Sequence, residues 1–224
     1  MIRRDYILQM IEEFARALAR ISSLRSDKRG DEAADALDEE FKRLVGEGPE
    51  AVARLSETEL LARLMQGGPT HAVREKTLML TTLLKEAGDL AVAQERAEAG
   101  RESYLKALHL LLDALARGEV CDCPEYVPKV EMLREALQGT PLPARTQARL
   151  MQHYERYGEL AKAEDALFAL LDADTDNEAI VEFGIGFYQR VLTQSDAMLN
   201  DGNLPRPEAE EGLNELQRRS KRGA

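Results

Sequence analysis

The residues with the clearest capacity for chemistry are two cysteines, Cys121 and Cys123, in the segment Cys-Asp-Cys-Pro. Two thiolates this close could supply half of a tetrahedral zinc site. The remaining ligands would have to be histidines brought near by the fold, such as His109 or His153. The alternative is a pair of reduced cysteines, one of them buried, which suits a reducing compartment and no disulfide framework. We expect this second state, with no metal and no cofactor.

No other pattern in the chain indicates catalysis. The three histidines, His71, His109 and His153, form no His-Glu-x-x-His pair, and none follows a glutamate by three residues as in di-iron bundles. Gly184 and Gly186 lack the preceding strand and the third glycine of a dinucleotide-binding loop. They are better explained as small residues that let helices approach closely. We therefore expect no catalytic residues and a protein that is not an enzyme.

The charge and composition of the chain limit its possible partners and its cellular location. The net charge of −11 repels phosphate backbones, and the basic residues at both ends are short solvated tails, so we expect no nucleic acid partner. No apolar run approaches the roughly 20 residues that span a bilayer, and no signal peptide precedes Glu12 and Glu13. We predict a cytoplasmic protein with no membrane partner.

Apolar residues recur at spacings of three and four, and no alternating run long enough for a strand is present. The pattern predicts an all-α fold of antiparallel helix hairpins joined by turns marked with Gly or Pro. The expected helices cover about 6–24, 33–44, 57–65, Pro69 to a turn at Gly88 and Asp89, from that turn to Gly118 as the longest helix, 130–137, 144–157, 160–172 and 177–199.

Helix caps and composition set the expected boundaries. Ser56 with Glu59, and Thr175 with Glu178, have the spacing of capping boxes. We predict a single helical domain over residues 1–199. Residues 200–224 are predicted as a loop and a charged tail, either a frayed helix or a disordered segment.

One hairpin has the spacing of a known repeat. Leu150, Tyr154, Gly158, Ala163 and Leu167 place an apolar residue, an aromatic, a turn glycine, a small residue and an apolar residue in register. This segment resembles the tetratricopeptide repeat. A weaker version occurs at Leu80, Leu84, Gly88 and Ala93. The resemblance implies an irregular, right-handed, tetratricopeptide-like superhelix; the alternative is an ordinary helical bundle.

The first fourteen residues, from Met1-Ile2-Arg3-Arg4-Asp5 to Phe14, are similar to the start of a bacterial family of uncharacterised tetratricopeptide-like proteins. That resemblance implies no activity and no site residues. We predict a non-enzymatic scaffold that binds a peptide or a partner helix on a concave helical surface, with a homodimer as a variant. The alternative is a ligand- or zinc-binding helical protein with a site around Cys121 and Cys123.

Overall fold

A computed structural model describes residues 2–66, 72–117, 123–175 and 177–223. These residues form twelve helices and contain no strand, which confirms the all-α prediction. None of the helices in these ranges is long and apolar enough to cross a membrane. In chain order they are α1 Ile2–Ser26, α2 Gly30–Val45, α3 Pro49–Arg54, α4 Glu57–Gln66, α5 Val73–Ala93, α6 Ala97–Arg117, α7 Val130–Ala136, α8 Ala144–Arg156, α9 Leu160–Ala173, α10 Glu178–Val191, α11 Asp196–Asp201 and α12 Arg206–Gly223.

The chain divides into two compact units, Met1–Thr140 and Pro141–Ala224, where the sequence predicts one domain over 1–199 and a tail. Most of the predicted tail forms α12, which packs against α10 and buries Ala209 and Leu216. The residues after 200 therefore belong to the second unit. Sequence reasoning underrated α12 because its apolar residues are sparse among charged ones, so the helix depends on packing against a neighbour.

Helix α5 is the centre of the first unit, where it contacts α1, α2, α4 and α6. Leu78, Leu80 and Leu83 on this helix are fully buried. A helix with buried residues on most of its sides must be surrounded by other helices. The surfaces that α5 presents to its neighbours therefore determine the shape of the first unit.

Four hairpins close with the same turn. A residue with positive φ follows the first helix of each pair: Lys28 at 59°, Glu95 at 60°, Gly158 at 75° and Asn203 at 56°. In each turn the next amide donates to a carbonyl five residues back, at 2.8–3.0 Å, as in a Schellman motif. These turns join α1 to α2, α5 to α6, α8 to α9 and α11 to α12.

The predicted turn at Gly88 and Asp89 is wrong. Helix α5 continues through both residues to Ala93, and α6 begins at Ala97. Gly88 has a packing role, because a Cβ on it would lie 2.6 Å from Cδ1 of Tyr104 on α6. The glycine lets two helices approach closely without ending either of them. Helix α6 is also not the longest described helix, since α1 has 25 residues and α6 has 21.

The two predicted capping boxes have different outcomes. Ser56 Oγ accepts from the Glu59 amide at 3.2 Å, and Glu59 Oε2 accepts from the Ser56 amide at 2.8 Å, which confirms the first. The second is wrong, because Asn177 caps α10 by accepting from the Ala179 amide at 3.1 Å. An Asn adjacent to the helix is a better cap than a more distant Thr.

Three further differences concern helix boundaries. The helix predicted over 177–199 is interrupted after Val191, and α11 follows with its own cap at Ser195. Helix α3 was not predicted, because six residues carry too little periodicity. The predicted start at Pro69 lies outside the described residues.

Candidate functional site

A cleft of about 1150 Å³ opens in the first unit between α2 and α6, both of which pack on α5. Its surface is more apolar than polar, and alanines and leucines are prominent among the residues that line it. Ala87, Leu90 and Ala91 of α5 lie along it, with Ala34 of α2 and Ala99 of α6 on either side. The short alanine side chains at these positions leave the space between α2 and α6 unfilled, whereas Leu or Phe in their place would close it.

Helix α3 bounds the cleft through Pro49, Ala51 and Ala53, and a lysine anchors it. Lys106 Nζ on α6 donates to the carbonyls of Val52 at 3.1 Å and Leu55 at 2.6 Å, and also to that of Ala53. These carbonyls lie at the C-terminal end of α3, where a cation offsets the helix dipole. Burial lowers the pKa of Lys106.

The charged residues around the cleft have both signs. Among the described residues, Asp35, Glu50 and Arg54 have no hydrogen-bond or ion-pair partner, and Arg96 donates to the side-chain amide of Gln94 at 2.5 Å. Unpaired guanidinium and carboxylate groups beside an apolar surface can pair with charges on a ligand. The cleft thus combines apolar contact area with polar groups that would orient a bound chain.

His109 lies beside the cleft but is engaged by another helix. Its Nδ1 is 2.8 Å from Glu57 Oε1, and both side chains are largely buried. This contact joins α6 to α4. His153 is in the second unit, where its ring packs against Tyr157 with centroids 4.7 Å apart and against Tyr154 at 5.4 Å. The third histidine, His71, lies outside the described residues.

Of the two candidate zinc thiols, Cys123 is described and half-buried, and Cys121 lies outside the described residues. Within the described ranges, no three His, Cys, Asp or Glu side chains group in a way that could hold a metal ion. Of the two histidines considered as further zinc ligands, His109 lies in the first unit and His153 in the second.

A cluster of charged residues fastens α1 to α5 on another side of α5. Arg25 contacts Asp89 and lies 3.0 Å from Glu86 Oε2, and Lys85 Nζ donates to Asp89 Oδ2 at 2.8 Å. Tyr104 donates its hydroxyl proton to Asp89 Oδ1 at 2.9 Å. Sequence reasoning missed this cluster, because Arg25 and its partners are distant in the chain and no local spacing connects them.

The pKa shifts of this cluster favour the charged forms of Asp89 and Lys85 and the neutral form of Tyr104. Burial by itself would raise the pKa of Asp89, but hydrogen bonds from Lys85 and Tyr104 outweigh it, so the pKa is lowered. Burial by itself would lower the pKa of Lys85, but Asp89 and Glu86 leave it raised. Burial and the bond to Asp89 both raise the pKa of Tyr104 well above its usual range. These groups stay fixed in charge near neutral pH and act as structural contacts.

The second unit has a comparable tyrosine contact. Tyr188 is fully buried and donates its hydroxyl proton to Glu164 Oε1 at 2.5 Å, while burial raises the pKa of Glu164. Phe187 is also fully buried, whereas Phe183 is half-buried. Gly184 allows close helix contact as expected, because its Cβ would lie 3.0 Å from Leu167 Cδ1.

The fold and the cleft together define the class: an all-α protein of helical hairpins with an open, alanine-lined cleft between two helices. The chain belongs to a family of unknown function, DUF6483, whose profile matches residues 1–221. A search of curated proteins and a search of solved structures found no match.

Proposed function

We propose that this protein is a non-enzymatic scaffold that binds a peptide or a partner helix in the cleft between α2 and α6. The observation that carries the proposal is the cleft itself. Its volume of about 1150 Å³ exceeds the range of roughly 300–1,000 Å³ usual for small-molecule pockets. An open cleft that carries alanines beside charged residues suits the side chains of a bound chain better than it suits an enclosed substrate.

The charged groups support a binding role over a catalytic one. Lys106 is held by three carbonyls of α3, and His109 is held by Glu57, so the two titratable groups best placed for proton transfer already have structural partners. Asp35, Arg54 and Arg96 at the cleft are exposed, which suits recognition of charges on a partner. The cleft thus offers apolar contacts for affinity and charges for orientation.

The recurring hairpin turn supports a tetratricopeptide-like arrangement as part of this proposal. Helices α8 and α9 begin and end where the repeat spacing of Tyr154, Gly158 and Ala163 predicts, and Tyr154 and Ala163 are buried. Gly158 has the left-handed conformation that its turn requires. We further propose that the protein is cytoplasmic, of bacterial origin, and that a second copy of the chain is an alternative partner.

The test is a selection of peptides from a random library against the full chain, followed by affinity measurements on cleft variants. Ala34→Trp and Ala99→Trp would fill the cleft from its two sides, and Ala62→Trp on the exposed face of α4 is the matched control. We expect selected peptides to lose about tenfold or more in affinity on each cleft variant, equivalent to at least about 1.4 kcal/mol, and to bind the control unchanged. Equal binding to all three variants would place the peptide site elsewhere and refute the proposal.

A further inference from the structure

A second cavity, of about 300 Å³, lies in the first unit where α1, α2 and α5 meet. Lys76 of α5 lines it. This lysine is only 7% exposed, and among the described residues it has neither a hydrogen bond nor an ion pair. Lysines are seldom buried without a partner, because removing the ammonium from water costs free energy that only a counter-charge or hydrogen bonds can offset.

The other enclosed lysines of the first unit show how unusual Lys76 is. Lys85 lies within 3.2 Å of two carboxylates, and Lys106 donates to three carbonyl oxygens. Both have side chains more exposed than Lys76. The two more exposed lysines, Lys85 and Lys106, therefore have oxygen partners, whereas the more buried Lys76 has none among the described residues and lines a cavity.

The other charged groups at the cavity compensate one another. Arg43 of α2 donates to Glu40 Oε2 through Nε at 2.9 Å and Nη2 at 2.5 Å, and its Nη1 lies 3.8 Å from Glu13 Oε2. Glu13 also accepts from Gln9 Nε2 at 2.9 Å. Of the charges that line the cavity from the described residues, the positive charge of Lys76 is the one left without a counter-charge.

The rest of the cavity surface is mostly apolar. Met10 and Met79 are buried and Leu44 is half-buried, and all three line the cavity; the half-exposed ring of Tyr6 lies at the same site. A single uncompensated positive charge within such a surface matches a ligand with one negative group and a short hydrocarbon body.

We propose that this cavity binds a small aliphatic monocarboxylate, whose carboxylate pairs with Lys76 and whose chain packs against Met10, Leu44 and Met79. A charge-assisted hydrogen bond to the ammonium would supply the counter-charge that the fold omits. A monovalent anion fits better than a phosphate dianion, because the Glu13 carboxylate lines the same cavity and repels added negative charge. This site is separate in its residues from the cleft, and the proposal does not depend on peptide binding.

The test is isothermal titration of the full chain with hexanoate, with the uncharged analogue 1-hexanol, and with inorganic phosphate. Lys76→Met keeps the length of the side chain and removes its charge, and Lys221→Met, at an exposed position of α12, is the matched control. We expect hexanoate to bind the natural protein and the control equally, and to bind Lys76→Met about tenfold to a hundredfold more weakly. Hexanol and phosphate should bind at least about tenfold more weakly than hexanoate.

Lys76→Met should fold, because replacing an unpaired buried charge with an apolar side chain of similar size is neutral or stabilising. If its thermal unfolding shows otherwise, Leu44→Trp serves instead, since it would fill the cavity from a half-buried position. Three results would each overturn the proposal: no hexanoate binding up to about 10 mM, binding that a folded cavity variant retains, or binding of phosphate as tight as that of hexanoate.

Discussion

Replacing Gly88 with alanine tests how the two central helices, α5 and α6, are held together. The new methyl group would lie 2.6 Å from Cδ1 and 2.8 Å from Cζ of the Tyr104 ring, which is closer than Cβ contacts in proteins allow. The ring cannot simply turn away, because its hydroxyl donates to Asp89 in the half-buried charged cluster. The two helices must therefore shift apart, and Tyr104 loses its hydrogen bond to Asp89 as they do so.

The change in the free energy of unfolding follows from two destabilising contributions and one stabilising contribution. Overpacking of this kind costs about 1–3 kcal/mol, and losing the Tyr104 hydrogen bond costs about 1 kcal/mol. The higher helix propensity of alanine returns about 1 kcal/mol. We therefore expect Gly88→Ala to lower the free energy of unfolding of the first unit by about 1–3 kcal/mol.

The assay is urea unfolding followed by circular dichroism, with Gly186→Ala as the matched control. Gly186 is also inside a helix, but the nearest atom to its added Cβ is Arg190 Nη1 at 3.3 Å, the end of a flexible side chain. The higher helix propensity of alanine should dominate at position 186, so Gly186→Ala should raise the free energy of unfolding by up to about 1 kcal/mol. A Gly88→Ala protein as stable as the natural one would refute the reasoning, since the close contact would then carry no cost.

Three other predictions address the turns, the charged cluster and the cysteines. Glu95→Gly should raise the free energy of unfolding by up to about 1 kcal/mol in urea, because Glu95 has φ of 60° and glycine adopts that conformation without strain; a loss would contradict this reason. The stability contributed by Asp89, whose folded-state pKa is lowered, should be present above its unfolded pKa of about 4 and be lost as the pH falls through its folded pKa. Acid unfolding of Asp89→Asn should show a smaller pH dependence, and an unchanged profile would count against the assignment. Metal analysis of purified protein should find substoichiometric zinc, whereas one zinc per chain would favour the alternative site around Cys121 and Cys123.

The helix boundaries could be predicted from neighbouring residues where a residue type in that spacing has a single structural role. The capping box of Ser56 and Glu59 fixes where α4 begins, and the positions of Tyr154 and Gly158 define the hairpin of α8 and α9. Gly88 was misassigned because glycine has two uses. It can end a helix through positive φ or admit a neighbouring helix, and the sequence does not show that Tyr104 lies opposite.

The candidate cleft was beyond local reasoning for a related reason. Ala34, Ala87 and Ala99 each suit any helix surface, and their common role appears only when α2 and α6 are placed on α5. The sequence predicted a concave helical surface in general terms without indicating which helices form it. The unpaired state of Lys76 was equally hidden, since a lysine inside an amphipathic pattern is normally solvated.

The two tyrosine contacts show how residues distant in the chain can fix the register in which two helices pack. In the first unit the Tyr104 ring lies on Gly88 of α5, and in the second unit the Tyr188 ring lies against Gly212 of α12. Each hydroxyl donates to a half-buried carboxylate, Asp89 in one case and Glu164 in the other. A glycine alone would allow several registers between two helices, but a half-buried carboxylate left without its hydroxyl partner carries a desolvation cost. The paired glycine and carboxylate therefore favour one register, and in the first unit that register holds α6 on α5 and so positions one wall of the cleft.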